Sequence, residues 1–214
     1  MKLLIATHNP AKREEIRKWL SEGLKKHAKG VRLQLLTLPD VGITEDIEED
    51  GVTFEENAIK KATYYAMKSG LPTIADDGGI EIDYLGGRPG VHSKRWAGND
   101  GSNANIISHT LKQLHDVLPE KRGSQLHVVL ALVIPNHQTV KNQHYTAEGI
   151  VRGIIAEKPY SKHRWEGFPY RQLFYIPEIQ KFYNPHDMTE AEEIQYNHRR
   201  RAIEKLVPRI QKYL

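Results

Sequence analysis

Over the first 76 residues, short apolar runs alternate with stretches whose apolar residues recur every three to four positions. That alternation limits the chain to an α/β architecture. Residues 2–7 read as a strand. Residues 10–27 read as an amphipathic helix with Ile16, Trp19, Leu20 and Leu24 on one face. A strand over 32–38 follows, then a helix over 53–69 with Phe54, Ala58, Ala62 and Ala66 as its stripe, and a strand over 72–76. Downstream, Ile106, Ile107, Leu111, Leu114 and Leu118 predict a core-facing helix over 103–118. Runs 125–134 and 139–151 are spaced to pair as a hairpin across Pro135 to Gln138. A strand over 172–177 and a long helix from Thr189, kinked or interrupted at Pro208, complete the expectation.

With 214 residues and 39% hydrophobic content, the chain can build one large domain or two lobes around a cleft, and nothing in it reads as a linker. No apolar run reaches membrane-spanning length and no secretory signal pattern is present, so a cytoplasmic location is expected. The absence of cysteine excludes disulfides, thiolate metal sites and a cysteine nucleophile. Net charge is +4, with basic clusters from Lys158 to Arg171 and from His198 to Arg201. Such clusters suit a polyanion or a triphosphate substrate. No nucleic-acid-binding motif accompanies them, and a nucleic-acid partner is not expected.

Chemistry concentrates in Ile74-Ala75-Asp76-Asp77-Gly78-Gly79-Ile80. Adjacent carboxylates on a strand point to opposite faces, so Asp76 and Asp77 are expected to share an ion only where the strand ends and the glycines let the backbone bend. Magnesium favours such a site, with few carboxylates plus water and phosphate oxygens. The acidic loop Ile47-Glu48-Glu49-Asp50-Gly51 runs into Thr53-Phe54-Glu55-Glu56, which has capping-box spacing. Taken alone, that loop also fits a solvated acidic lead into a helix. Near the start, Asn9 is a suitable N-cap and Pro10 a suitable first helical residue. Lys12 lies one turn in, where a cation is unfavourable unless an anion is present. These residues form a candidate phosphate site.

These pieces, in this order, resemble the inosine triphosphate pyrophosphatase family. The resemblance rests on Thr7-His8-Asn9-Pro10-Ala11-Lys12, Gly51 to Ala58 with Lys61-Ala62, Ala75 to Gly79, Leu85 to Val91 followed by Ser93-Lys94-Arg95, and His198-Arg199. It implies a mixed α/β fold: a long twisted central sheet flanked by helices, and two lobes with the active-site cleft between them. It also implies a homodimer and Mg2+-dependent hydrolysis of ITP, dITP or XTP to the monophosphate and pyrophosphate. Glu48 and Asp77 fall where the family places metal-binding carboxylates, Asp77 also aligns with the general base, and Asp76 is a further ligand. Asp77, Asp76 and Lys61 are thus the expected catalytic set. Thr7, His8, Asn9, Lys12, Asn57, Gly78 and Arg95 are expected around the phosphates. Arg95 and Lys94 also fit as solvated loop charges.

The base-recognition half departs from the family. Where relatives have Gly-Phe-Gly-Tyr-Asp-Pro, this chain has Gly167-Phe168-Pro169-Tyr170-Arg171-Gln172. Glu193 replaces a lysine and Asn197 a serine, while His198 and Arg199, which in relatives read the 6-keto oxygen, are kept. Arg171 and Glu193 are expected to pair with exchanged charges, or else are independent surface substitutions. Phe168, Tyr170, Arg171, Glu193, His198 and Arg199 form the expected base site, with Phe168 or Trp165 stacking on the base. Because this segment is altered, the preferred base does not carry over from the family. The alternatives are a relative retuned to another nucleotide and a catalytically silent nucleotide- or RNA-binding protein.

Overall fold

In a computed structural model, residues 2–25, 33–98, 102–135, 143–162 and 167–213 are described. Seven strands form one sheet in the order β2-β1-β3-β4-β5-β6-β7, where β1 is Lys2–Ile5, β2 Gln34–Thr37, β3 Thr73–Ile82, β4 Gly123–Ile134, β5 Gln143–Ile155, β6 Phe174–Ile176 and β7 Lys181–Phe182. β1 pairs in parallel with β2 and β3, whereas β5, β6 and β7 pair antiparallel in succession. The sheet is therefore mixed. The helices are α1 (Pro10–Lys25), α2 (Phe54–Ser69), α3 (Asn103–Gln113), α4 (Glu190–Tyr196) and α5 (His198–Gln211).

The chain divides into two compact units. The first comprises Met1–Asp77, Val128–Gly149 and Arg199–Leu214, and the second Gly78–His127 and Ile150–His198. In the first unit, α1 and α5 bury Ile16, Trp19, Leu20, Leu24, Ile203, Leu206 and Val207 against Leu3, Ile5, Ile74, Val128 and Leu130 of the sheet. The two helices lie so close that a Cβ on Gly23 would sit 2.9 Å from Val207 Cγ2. The alanine-rich stripe of α2 is buried as its spacing predicts, and Asn57, Lys61 and Tyr65 are buried with it. In the second unit, Ile80, Ile82, Ile106, Leu114, Val151, Phe174 and Tyr183 share a core.

Most of the expected elements form, and the differences are local. β3 does not end at the carboxylates; it continues through Asp76-Asp77-Gly78-Gly79 to Ile82. Gly79 serves packing rather than a bend, since a Cβ there would collide with Ser93 Oγ and lie 2.6 Å from the Gly90 carbonyl. α3 stops at Gln113, and the carbonyls of Leu114 and Val117 accept from the buried guanidinium of Arg122 at 2.6 and 2.9 Å. Leu118, beyond that end, is 54% exposed. β5 extends to Ile155 rather than 151, and the loop expected between β4 and β5 lies almost entirely outside the described residues. The last helical stretch breaks at Asn197, which adopts φ −88° and ψ 106°, and α5 runs through Pro208 without interruption.

Candidate active site

Local capping rules position the residues that the sequence places around the phosphates. Asn9 Oδ1 accepts from the N–H groups of Ala11 (2.9 Å) and Lys12 (3.2 Å), satisfying two donors that a helix start leaves open. Thr7 Oγ1 accepts from Asn9 N, and His8 Nε2 lies 3.0 Å from the Glu45 carbonyl and 3.1 Å from the Tyr65 hydroxyl. At the start of α2, Thr53 and Glu56 close the expected capping box. Gly51 N–H then donates to Asn57 Oδ1 at 2.7 Å, which leaves Asn57 Nδ2 to donate to Asp77 Oδ2 at 2.9 Å. The backbone of Gly51 thereby sets which way the Asn57 amide faces, and a Cβ on Gly51 would lie 2.7 Å from that same oxygen.

Because β3 is continuous, Asp76 and Asp77 point to opposite faces of the sheet. Asp76 Oδ2 meets Lys12 of α1 at 3.3 Å and Arg199 of α5 at 2.9 and 3.3 Å, while Asp77 meets α2. Arg199 also donates to Glu15 Oε2 at 2.8 Å. Burial opposes the charge of Asp76, but Lys12, Arg199 and Lys61 outweigh it and hold the carboxyl well below the ordinary range. For Asp77 the balance reverses: burial pushes its carboxyl up, and Lys61 and Lys12 offset this only in part. Lys61 is 6% exposed. Burial would lower its ammonium, yet the charges of Glu49, Asp76 and Asp77 prevail and raise it.

One oxygen in this cluster is not satisfied. Asp76 Oδ1 is buried without a hydrogen-bond partner, which is costly for a carboxylate oxygen and suits a hard cation with oxygen ligands. Among the described residues no group of three His, Cys, Asp or Glu side chains is arranged to hold a metal ion. The orphaned Asp76 oxygen fits a metal that takes few carboxylates and completes its shell with water and phosphate oxygens. In the acidic loop, Glu48 is exposed, Glu49 bonds to Lys61, and Asp50 bonds to Lys60 at 2.6 Å.

The remaining expected residues, apart from Arg199, belong to the second unit. Gly78 follows Asp77 in β3, and Arg95 is exposed at the end of the turn Gly90–Arg95. Tyr170 is a core residue whose hydroxyl donates to the Ser93 carbonyl at 3.1 Å, and burial pushes its phenol up. The Arg171 guanidinium stacks 4.0 Å from the centroid of Phe168 and 5.2 Å from that of Tyr183. His198 lies against Tyr183, and Glu193 is half-buried on α4. Trp165 is outside the described residues. Of the basic cluster His198 to Arg201, the first three residues are buried and only Arg201 is exposed.

Sequence reasoning missed Glu15, Tyr65 and Tyr183, and named Glu49 only as part of the acidic loop. Glu15 had a readable signal, since it lies three residues after Lys12 on the same face of α1. Tyr65 lay next to the apolar stripe, and its hydroxyl donates to the Glu45 carbonyl at 3.0 Å, tying α2 to the acidic loop.

The geometry can be set beside known proteins. The sequence profile of the Ham1 family matches residues 3–209. A dITP/XTP pyrophosphatase of Bacillus subtilis (strain 168) is 38% identical over 203 residues, covering 95% of this chain and 93% of the relative. A solved Ham1 protein from Coxiella burnetii superposes with a TM-score of 0.79 at 30% identity over 99% of both chains. The Staphylococcus aureus Ham1 protein gives 0.77 at 27% identity over the whole of both chains. Carboxylates, caps and sheet order thus sit in a sequence that matches these proteins from end to end, and the chain belongs to the Ham1 family.

Proposed function

We propose that this protein hydrolyses non-standard purine nucleoside triphosphates, namely ITP, dITP and XTP, to the monophosphate and pyrophosphate with the help of Mg2+, in sanitation of the nucleotide pool. The observation that carries this reading is the divergence of two neighbouring buried carboxyls. Asp76 is held ionised by Lys12, Arg199 and Lys61, while Asp77, beside it on β3 and hydrogen-bonded by Asn57, is pushed up by burial. The named activity of the Bacillus subtilis relative supports it.

Asp77 is assigned as general base, with Asn57 orienting it. Asp76, whose Oδ1 has no hydrogen-bond partner, would hold the divalent cation, with Glu48 as the family resemblance implies; Asp77 faces the other side of the continuous β3, so the ion shared by both carboxylates that the sequence suggested is not retained. When bound, the ion supplies a more acidic water and neutralises charge on the reacting phosphate. Lys12 and Lys61 carry the ammonium groups that bind the phosphate tail. Asn9 caps the helix start that carries Lys12, and with Thr7, His8, Gly78 and Arg95 it is assigned to the same tail. Phe168 and His198 are assigned to the base, and with Tyr170, Arg171 and Glu193 they belong to the second unit. Arg199 sits on Asp76 and Glu15, which supports a role in keeping Asp76 charged. Burial of His198, Arg199 and Arg200 argues against the silent polyanion-binding alternative.

A nucleotide panel with magnesium, quantifying pyrophosphate and monophosphate separately, tests the reading. Equimolar pyrophosphate and monophosphate from ITP, dITP or XTP, with little from ATP, is expected. Release of orthophosphate, or no turnover of any 6-oxo purine triphosphate, overturns it. The reading extends to a cytoplasmic location and to a homodimer, the latter resting on the family resemblance. No helix among the described residues is long and apolar enough to cross a membrane, and light scattering of the purified protein checks the dimer.

A further inference from the structure

We propose that Tyr183 is a positioning residue for base selection: its hydroxyl donates to Nδ1 of His198, keeps the imidazole proton on Nε2, and so makes His198 present a donor to the base. The inference rests on the reading of His198 as a base-contacting residue.

Tyr183 is held from several sides within the second unit. It follows β7, its N–H donates to the Phe174 carbonyl at 2.9 Å, and its ring meets that of Phe174 edge-on at 6.2 Å. The side chain is 1% exposed. Its hydroxyl lies 3.4 Å from His198 Nδ1, with ring centroids 5.7 Å apart and planes tilted by 59°. His198 stands where α4 has ended and α5 begins, because Asn197 leaves the helical conformation just before it.

The direction of this hydrogen bond decides what His198 offers. Arg171 lies over the Tyr183 ring at 5.2 Å. A cation over a phenol ring draws electron density from it, making the O–H a stronger donor and a weaker acceptor. Tyr183 therefore donates, Nδ1 accepts, and a neutral imidazole must then carry its proton on Nε2. An N–H at that position matches a carbonyl oxygen, as in a 6-oxo purine, and opposes the amino group of adenine. Arg171, which departs from the family sequence, thus gains a role that does not require it to touch the nucleotide.

The test reads the tautomer directly. In wild-type protein, 15N–1H spectra of the histidine ring, with the His198 signals identified by their loss in His198→Gln, are expected to show protonation on Nε2; protonation on Nδ1 overturns the proposal. In Tyr183→Phe the tautomer preference should weaken, and the ratio of kcat/KM for ITP over ATP should fall about tenfold, the worth of one well-placed hydrogen bond. An unchanged ratio overturns the role in selection even if the tautomer is as proposed. Failure of wild-type protein to turn over any 6-oxo purine counts against the functional reading instead, and the wild-type spectra still decide the tautomer. They also decide it if Tyr183→Phe does not fold.

Discussion

Replacing Asp77 by Asn should abolish turnover and stabilise the protein. Asp77 is 5% exposed and its ionised form is opposed by burial, with Lys61 and Lys12 compensating only in part. An amide of the same volume keeps the hydrogen bond from Asn57, because its oxygen still accepts from Nδ2. What is lost is a charge that the folded state disfavours. Each unit by which a folded-state pKa is raised corresponds to about 1.4 kcal/mol against the ionised form. Relief of order 1 kcal/mol is typical when a functional residue is replaced, and it raises Tm by about 2–4 °C in a domain of this size. The sign also fixes the pH window. For a carboxyl raised on folding, the penalty is absent below the unfolded value near 4, grows as pH rises towards the folded value, and is constant above it. The Tm advantage of Asp77→Asn should therefore be present at pH 7.5 and shrink as pH falls, vanishing below the unfolded value near 4. Thermal unfolding in chelator, so that bound metal does not favour wild type, measures this. Steady-state pyrophosphate release should fall by about 10²–10⁴-fold, the span expected for loss of a general base. A variant less stable than wild type at pH 7.5, or one retaining a tenth of parental turnover, would refute the reasoning.

Lys12→Ala should weaken all nucleoside triphosphates by similar factors under the proposed role of its ammonium in holding the phosphate tail; a KM series in which only one base is affected would move Lys12 to the base pocket. Gly79→Ala should destabilise by about 1–3 kcal/mol, because the added methyl collides with Ser93 Oγ and crowds the Gly90 carbonyl; an unchanged urea midpoint would show that the turn yields freely. If Arg171 and Glu193 form a charge-exchanged pair, Arg171→Asp and Glu193→Lys should each impair kcat/KM, and the double variant should recover about 0.5–3 kcal/mol of coupling; strict additivity on every nucleotide would mean that they act independently.

What could be read from sequence depended on how local its cause was. The α1 and α2 faces were legible because helical spacing writes them directly, and so were the Asn9 cap and the Thr53–Glu56 box, whose partners lie within three residues. β3 was misjudged because two glycines ordinarily signal a turn, whereas here the approach of Ser93 and Gly90 demands a residue without Cβ. The break in the last helical stretch was expected at Pro208 and occurs at Asn197, a residue with no such obvious penalty. Arg199 illustrates the harder case. The family resemblance placed it at the base, and its guanidinium donates to Asp76 and Glu15, 123 and 184 residues away in sequence. No local pattern encodes that pairing. Tyr183 escaped notice for the same reason, since only the fold brings it to His198.

That long separation has a consequence in time. The ribosome makes Asp76 well before Arg199, and at about 5–20 residues per second the interval is roughly 6–25 s. During it, Lys12 and Lys61 are available to the carboxylate but the guanidinium is not. The first unit also awaits Val128–Gly149 for two strand segments of its sheet and Arg199–Leu214 for α5. Nascent chains stalled before that point would expose the apolar face of α1 that α5 covers, which makes them clients for chaperones and proteases. The charged cluster around Asp76 is therefore complete only on chains translated beyond Arg199.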